Sequence, residues 1–161
     1  EGEMLYYARR YDESIEASLK ALEMNPRFAQ SRMFIGFAYL GKGMREEALE
    51  ALLEEEELSQ GRRPEVENWI GTAFAMAGEE EKAREVLSRL LELSKDRWVS
   101  PFAMANIHIA LGEIDKGFEL LEKAYEDQDS RLPFINIHPV YDSVQSDPRY
   151  LDLLERIGLA D

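Results

Sequence analysis

The sequence contains no cysteine in 161 residues. Disulfide staples, thiolate nucleophiles and cysteine-bound zinc are therefore excluded. It has no run of 18 apolar residues, so no segment reads as a membrane-spanning helix. Basic residues are in deficit, 19 against 33 acids, which leaves a net charge of −14. That field repels phosphate backbones, making nucleic acid and anionic membrane poor partners. There are only two histidines. No H-E-x-x-H, Gly-x-Ser-x-Gly, phosphate loop or dinucleotide fingerprint is present. Gly41-Lys42-Gly43 has no strand before it, so it reads as a corner between helices. No cofactor or metal site is expected.

Proline is also scarce, with six residues, while hydrophobic residues make up 45% and charged residues 32%. With Ala, Leu, Glu and the bases dominant, this is the composition of a globular helical domain. Small residues recur in register. Gly2, Gly36, Gly71 and Ala105 are spaced 34, 35 and 34 apart, and so are Ser14, Ala48, Ala83 and Gly117. A third column, Arg9, Gly43, Gly78 and Gly112, keeps the same register. Glycine in that column ends a helix with φ > 0. Small residues on either side of the corner let two helices approach closely. Each period therefore reads as an antiparallel helix pair, and the pairs must stack to cover one another. Helices are predicted near 1–9, 12–24, 28–41, 45–59, 65–77, 79–93, 100–111 and 114–127. Asn25-Pro26 closes the first pair and Gly61-Arg62-Arg63-Pro64 separates the second from the third.

These residues resemble the tetratricopeptide repeat. MFIGFAYLGKGMREEALEALLE carries Ile35-Gly36, Tyr39, Ala48 and Leu52, and NWIGTAFAMAGEEEKAREVL carries Ile70-Gly71, Phe74, Ala83 and Leu87. YDESIEASLKALEMNP adds Ala21 and the closing Pro26. The resemblance covers about residues 1–127 and implies an all-α, right-handed α-α superhelix of four helix pairs. It departs from the family at the tryptophan column, where Arg32, Glu67 and Pro101 stand. It departs again at Glu55, which replaces a small packing residue, and at Ser14 and Gly117, which replace alanine. Aligned to the family, Gly2 lies mid-helix, so the chain is expected to be a piece that continues upstream. Residues 128–161 are read as a C-terminal helical cap, with Asp147 capping a helix, Pro148 in its first turn and Gly158 ending it. Residues 98–160 resemble the C-terminal end of bacterial multidomain regulators. There, such an array follows a Ser/Thr kinase, nucleotidyl cyclase or winged-helix domain, which implies a cytoplasmic signalling role.

In this family the first helices of successive pairs line a concave groove. Helix 29–40 is apolar on two faces, one for the core and one for a neighbour or partner. The candidate partner-binding residues are Tyr6, Gln30, Met33, Phe34, Phe37, Asn68, Trp69, Thr72, Met76, Phe102, Asn106 and Ile109. Aromatic and Met anchors in a concave site suit a peptide. Phe34, Trp69 and Phe102 could simply pack between neighbouring helices, but some of Phe37, Met76 and Asn106 are expected to stay accessible. The family's carboxylate clamp is not expected, because Glu65, Met33 and Trp69 stand at its basic positions. The acidic runs 54–57 and 79–81 read as solvated faces, and His108 as a packing residue in the column of Tyr39 and Phe74. No enzymatic activity is expected. The function read here is a protein-interaction module that binds a peptide, a domain or its own upstream domain. The alternative is a spacer or oligomerisation element whose groove is filled by another copy of the chain.

Overall fold

The register of small residues becomes a stack of helix pairs. The computed structural model describes residues 1–59 and 64–160. Its helices are α1 (Gly2–Tyr7), α2 (Tyr11–Met24), α3 (Ala29–Gly41), α4 (Arg45–Ser59), α5 (Pro64–Met76), α6 (Glu80–Leu93), α7 (Pro101–Ala110), α8 (Ile114–Glu126) and α9 (Pro148–Arg156). Two 3-10 segments, Leu132–Asn136 and Pro139–Val144, precede α9. Among the described residues there is no strand. The linker residues Gly61-Arg62-Arg63 lie outside the described residues, and Pro64 opens α5.

The corners repeat one geometry. Gly43, Gly78 and Gly112 have φ of 73°, 78° and 76°. The next residue's N–H reaches back over the turn: Met44 to Tyr39 O, Glu79 to Phe74 O and Glu113 to His108 O, each 2.9 Å. This is the Schellman closure, which satisfies carbonyls that the ending helix would leave free. The first corner makes the same bond, Arg10 N–H to Leu5 O at 2.9 Å, but its left-handed residue is Arg9, at φ 61°. A side chain in that conformation is strained, and Arg9 has a use that glycine could not serve.

Close approach explains the other columns. A Cβ on Gly71 would stand 2.7 Å from Ile107 Cδ1 and 2.9 Å from Val86 Cγ1. Packing of this kind builds one core through α1–α7, centred on Phe34, Phe37, Ile70, Phe74 and Leu90. A second core joins α7 and α8 to the tail, through Phe118, Leu121, Ile135, Tyr141 and Leu153.

The residues that depart from the family pattern pair with one another. Arg32, at a tryptophan position, donates to Glu55 at 2.9 Å and to Pro26 O at 2.8 Å, and both side chains of the ion pair are buried. Glu67, one period on, accepts from Arg89 Nε at 2.8 Å. Successive pairs thus place an ion pair of reversed polarity where the family packs a ring. Pro101, the third occupant, sits in the first turn of α7 behind the Ser100 cap.

The segment 128–160 has two parts. α9 lies against α8, tied by Arg149–Asp115 (2.8 Å) and Arg156–Glu122 (2.8 Å), with the guanidinium of Arg149 over Phe118. Asp147 accepts from Arg149 N–H at its N-terminus and Gly158 turns out of it with φ 76°. The 3-10 segments do something else: they fold into the concave face.

Candidate functional site

The tail enters at Asp129. Its buried carboxylate accepts from Arg131 N–H at 3.1 Å and from the Ser100 hydroxyl. Pro133 and Pro139 then sit in the first turns of the two 3-10 segments. Proline there sets φ and needs no N–H partner, so the chain turns tightly without continuing as a long helix.

The side chains it sends inward meet the groove directly. Phe134 lies 5.6 Å from the Tyr7 ring. His138 sits among Tyr7 (5.7 Å), Phe37 (6.0 Å, edge-on) and Tyr6 (6.3 Å). Tyr141 stacks on Phe102 at 6.0 Å and its hydroxyl donates to Asn106 Oδ1 at 2.5 Å. Asp142 pairs with Arg9 at 2.7 Å. That contact is what the strained arginine at the first corner provides: the left-handed position holds a cation at the mouth of the groove.

Electrostatics follow from burial. His138 Nδ1 accepts from Val140 N–H at 3.2 Å, so the remaining proton of the neutral ring is on Nε2. Burial, followed by the nearby Arg9 charge, lowers the His138 pKa to about 4, with Asp142 acting the other way. Burial also pushes the Tyr6 and Tyr141 hydroxyls well up, and Tyr6 Oη has no hydrogen-bond partner among the described residues.

A cavity of about 230 Å³ remains beside the tail. Glu3, Tyr7, Asn68, Trp69, Thr72, Phe102, Asn106, Arg131, Phe134 and His138 line it. Asn68 Oδ1 is buried with no hydrogen-bond partner among the described residues, while Thr72 donates to Asn68 O at 2.9 Å.

The candidate residues therefore divide. Asn68, Trp69, Thr72, Phe102 and Asn106 come together around the cavity. Tyr6 and Phe37 meet His138. Phe34 packs between Tyr6 (5.6 Å) and Trp69 (6.2 Å). Gln30 donates to Glu3 at 2.7 Å, and burial raises the Glu3 pKa. Met33 is core, Met76 packs against both cores, and Ile109 belongs to the second. Of the three residues of which some are expected to stay accessible, Phe37 and Asn106 are 1% and 4% exposed, with His138 and Tyr141 of the tail against them. Met76 alone of those three keeps partial exposure. Sequence reasoning missed Tyr7, Arg9, Arg131, Phe134, His138 and Tyr141. The available signal was LPFINIHPVY, which carries more large apolar and aromatic residues than a surface connection needs.

His108 is buried as expected and bonds Glu113 Oε2 through Nδ1 at 2.6 Å. Arg84, with His108, holds the Glu113 carboxyl down at about 2. Among the described residues no three His, Asp or Glu side chains gather as metal ligands would. No helix among them is long and apolar enough to cross a membrane.

No family model matches the chain, and no curated protein does. Among solved structures it is similar to the crystal structure of MamA, at 22% identity over 98% of this chain and 96% of that one, with a TM-score of 0.50. At that identity the likeness speaks to the fold alone: an all-α superhelix of the tetratricopeptide type with a C-terminal capping helix.

Proposed function

We propose that the chain is a non-catalytic protein-interaction module whose concave groove takes a peptide or a domain, and that residues 131–144 occupy the groove until a partner displaces them. One observation carries the reading: the groove holds an irregular segment by ring contacts, one hydroxyl–amide bond and one ion pair. Helical grooves hold peptides by the same means, aromatic anchors in pockets with polar contacts setting register. A tail docked 99% of the time would weaken the apparent affinity of a competing partner about 100-fold.

The finer context we propose is a cytoplasmic bacterial regulator of signalling or transcription, with the groove docking an effector domain upstream. Its support is the likeness of residues 98–160 to the ends of such regulators.

Peptide display against the full chain carrying Asp142→Arg tests the reading. Asp142 is half-exposed, so the change repels Arg9 without burying a charge. Selected peptides should lose about tenfold or more in affinity when Trp69→Glu is added with helicity unchanged, since Trp69 is a half-buried wall of the cavity. Selected peptides that bind the Trp69→Glu chain equally, or no selection at all, would refute it. Phe37 is unsuitable for this test because a glutamate there would be buried.

A further inference from the structure

The side chains that the tail sends into the groove are few. Phe134, His138, Tyr141 and Asp142 fall at i, i+4, i+7 and i+8. Leu132, Ile135, Val140 and Val144, between and around them, are buried in the second core. His138 and Asp142 answer to the groove, whereas Tyr141 belongs to the second core and Phe134 packs against it, so those two serve both the groove and the fold of the tail.

We infer that the groove's partner is a short segment of the same chemistry: an aromatic ring, then an imidazole, then a tyrosine followed at once by a carboxylate, entering in place of residues 131–144. This rests on the interaction reading above and deepens it. Each position has a reason. Asn106 Oδ1 is buried and accepts from the Tyr141 hydroxyl. A phenylalanine there would leave that oxygen without its donor, which selects tyrosine over its closest isostere. The box of Tyr6, Tyr7 and Phe37 is closed by a flat ring that holds its own acceptor satisfied, as His138 does through Val140 N–H. The carboxylate matches Arg9 at the groove mouth. Both members of that pair are about half-exposed, so it orients the segment and speeds its arrival more than it tightens it. The chain's net charge of −14 disfavours any ligand that is acidic overall. The segment therefore carries its acid against Arg9 and is otherwise neutral or basic, as RLPFINIHPVYDSV is.

The test uses the full chain and a fluorescein-labelled peptide of sequence RLPFINIHPVYDSV. His138→Ser with Asp142→Arg loosens the tail and leaves every residue of the helical array intact. Circular dichroism and a thermal melt check its fold. Asp142→Arg alone, a change at a half-exposed site, serves as the second variant. The loosened chain should bind the peptide at least about tenfold more tightly than the unaltered chain, by fluorescence anisotropy. Exchanging the peptide's tyrosine for phenylalanine, or its histidine for alanine, should weaken binding about fivefold or more. Exchanging its aspartate for asparagine should cost about two- to threefold, and less at high salt. Mixed dimers of loosened and unaltered chains would make a second copy the occupant and overturn the inference of a separate partner. A folded, loosened chain that binds the peptide no better than the unaltered one overturns the inference. So does equal binding of the phenylalanine and alanine peptides. Trp69-dependent display ligands that lack this pattern would sink the inference and leave the interaction reading standing. Absence of peptide binding in both assays would sink the two together.

Discussion

Acidification should loosen the tail through one residue. His138 is buried in the groove with its pKa lowered to about 4 from an ordinary value of 6.5. The lowered value means that the tail-released state binds the proton more readily than the docked state does. Docking is then fully supported above about pH 6.5 and weakens as the pH falls toward 4, with the loss complete at the lower value. Each unit of pKa difference is worth 1.36 kcal/mol, so the whole effect is about 3 kcal/mol. Between pH 7.5 and pH 5 it is about 2 kcal/mol, roughly a thirtyfold change in the ratio of docked to released tail. The groups facing His138 include Tyr6 and Tyr7 from α1, Arg9 from the first corner, Phe37 from α3, and Tyr141 and Asp142 from the tail. Arg9 and Asp142 carry opposing charges, so burial sets the direction.

With only two histidines in the chain, proton NMR can titrate each separately. Stability in urea, measured from pH 7.5 to 5, gives the linked energy. His138→Asn is the control, because its amide oxygen can still accept from Val140 N–H while nothing titrates. Other carboxylates contribute the same slope to both proteins, so the difference between them isolates His138. The wild-type chain should lose about 2 kcal/mol relative to the variant across that range. A His138 midpoint within a few tenths of 6.5, or parallel pH dependences, would refute the reasoning.

The remaining predictions concern the array. Arg9→Gly should relieve about 1 kcal/mol of left-handed strain, raising the melting temperature, while amide exchange in residues 138–142 becomes faster because the Asp142 contact is lost. A lower melting temperature with unchanged exchange would contradict the role given to Arg9. Arg32→Met should lower stability in urea unfolding, because Glu55 and Pro26 O both lose the Arg32 donor. Arg32→Met combined with Glu55→Leu should recover most of that loss; an additive double variant would show that the pair is not coupled.

The stack of helix pairs was legible because its signals are demands of the backbone. A corner closed by a Schellman bond needs a left-handed residue, and two helices in contact need a small residue at the crossing. Both demands recur at the same spacing, so Gly43, Gly78 and Gly112 gave the corners, and Gly36 with Ala48 or Gly71 with Ala83 gave the close approaches. Arg32, Glu55 and Glu67 were visible only as departures from the family pattern, and Arg89 gave no signal. Each departure looked unfavourable alone, and only the fold shows that Arg32 meets Glu55, and Glu67 meets Arg89, across one helix pair.

The filling of the groove was illegible for a different reason. Residues 131–144 have no period, since two prolines cut them into single 3-10 turns, and their apolar residues suited a cap over the last repeat equally well. Whether Phe134, His138 and Tyr141 cover α8 or turn into the concave face depends on complementarity between side chains more than 90 residues apart, such as His138 with Tyr6 and Phe37. Local propensity carries no information about such a pairing. Besides the apolar excess of LPFINIHPVY, a local trace was at the first corner, where an arginine stands in a column otherwise filled by glycine. A guanidinium at that position reaches an anion, Asp142, that glycine could not. A residue that breaks a backbone rule in a repeat is thus a pointer to a contact the repeat itself does not make.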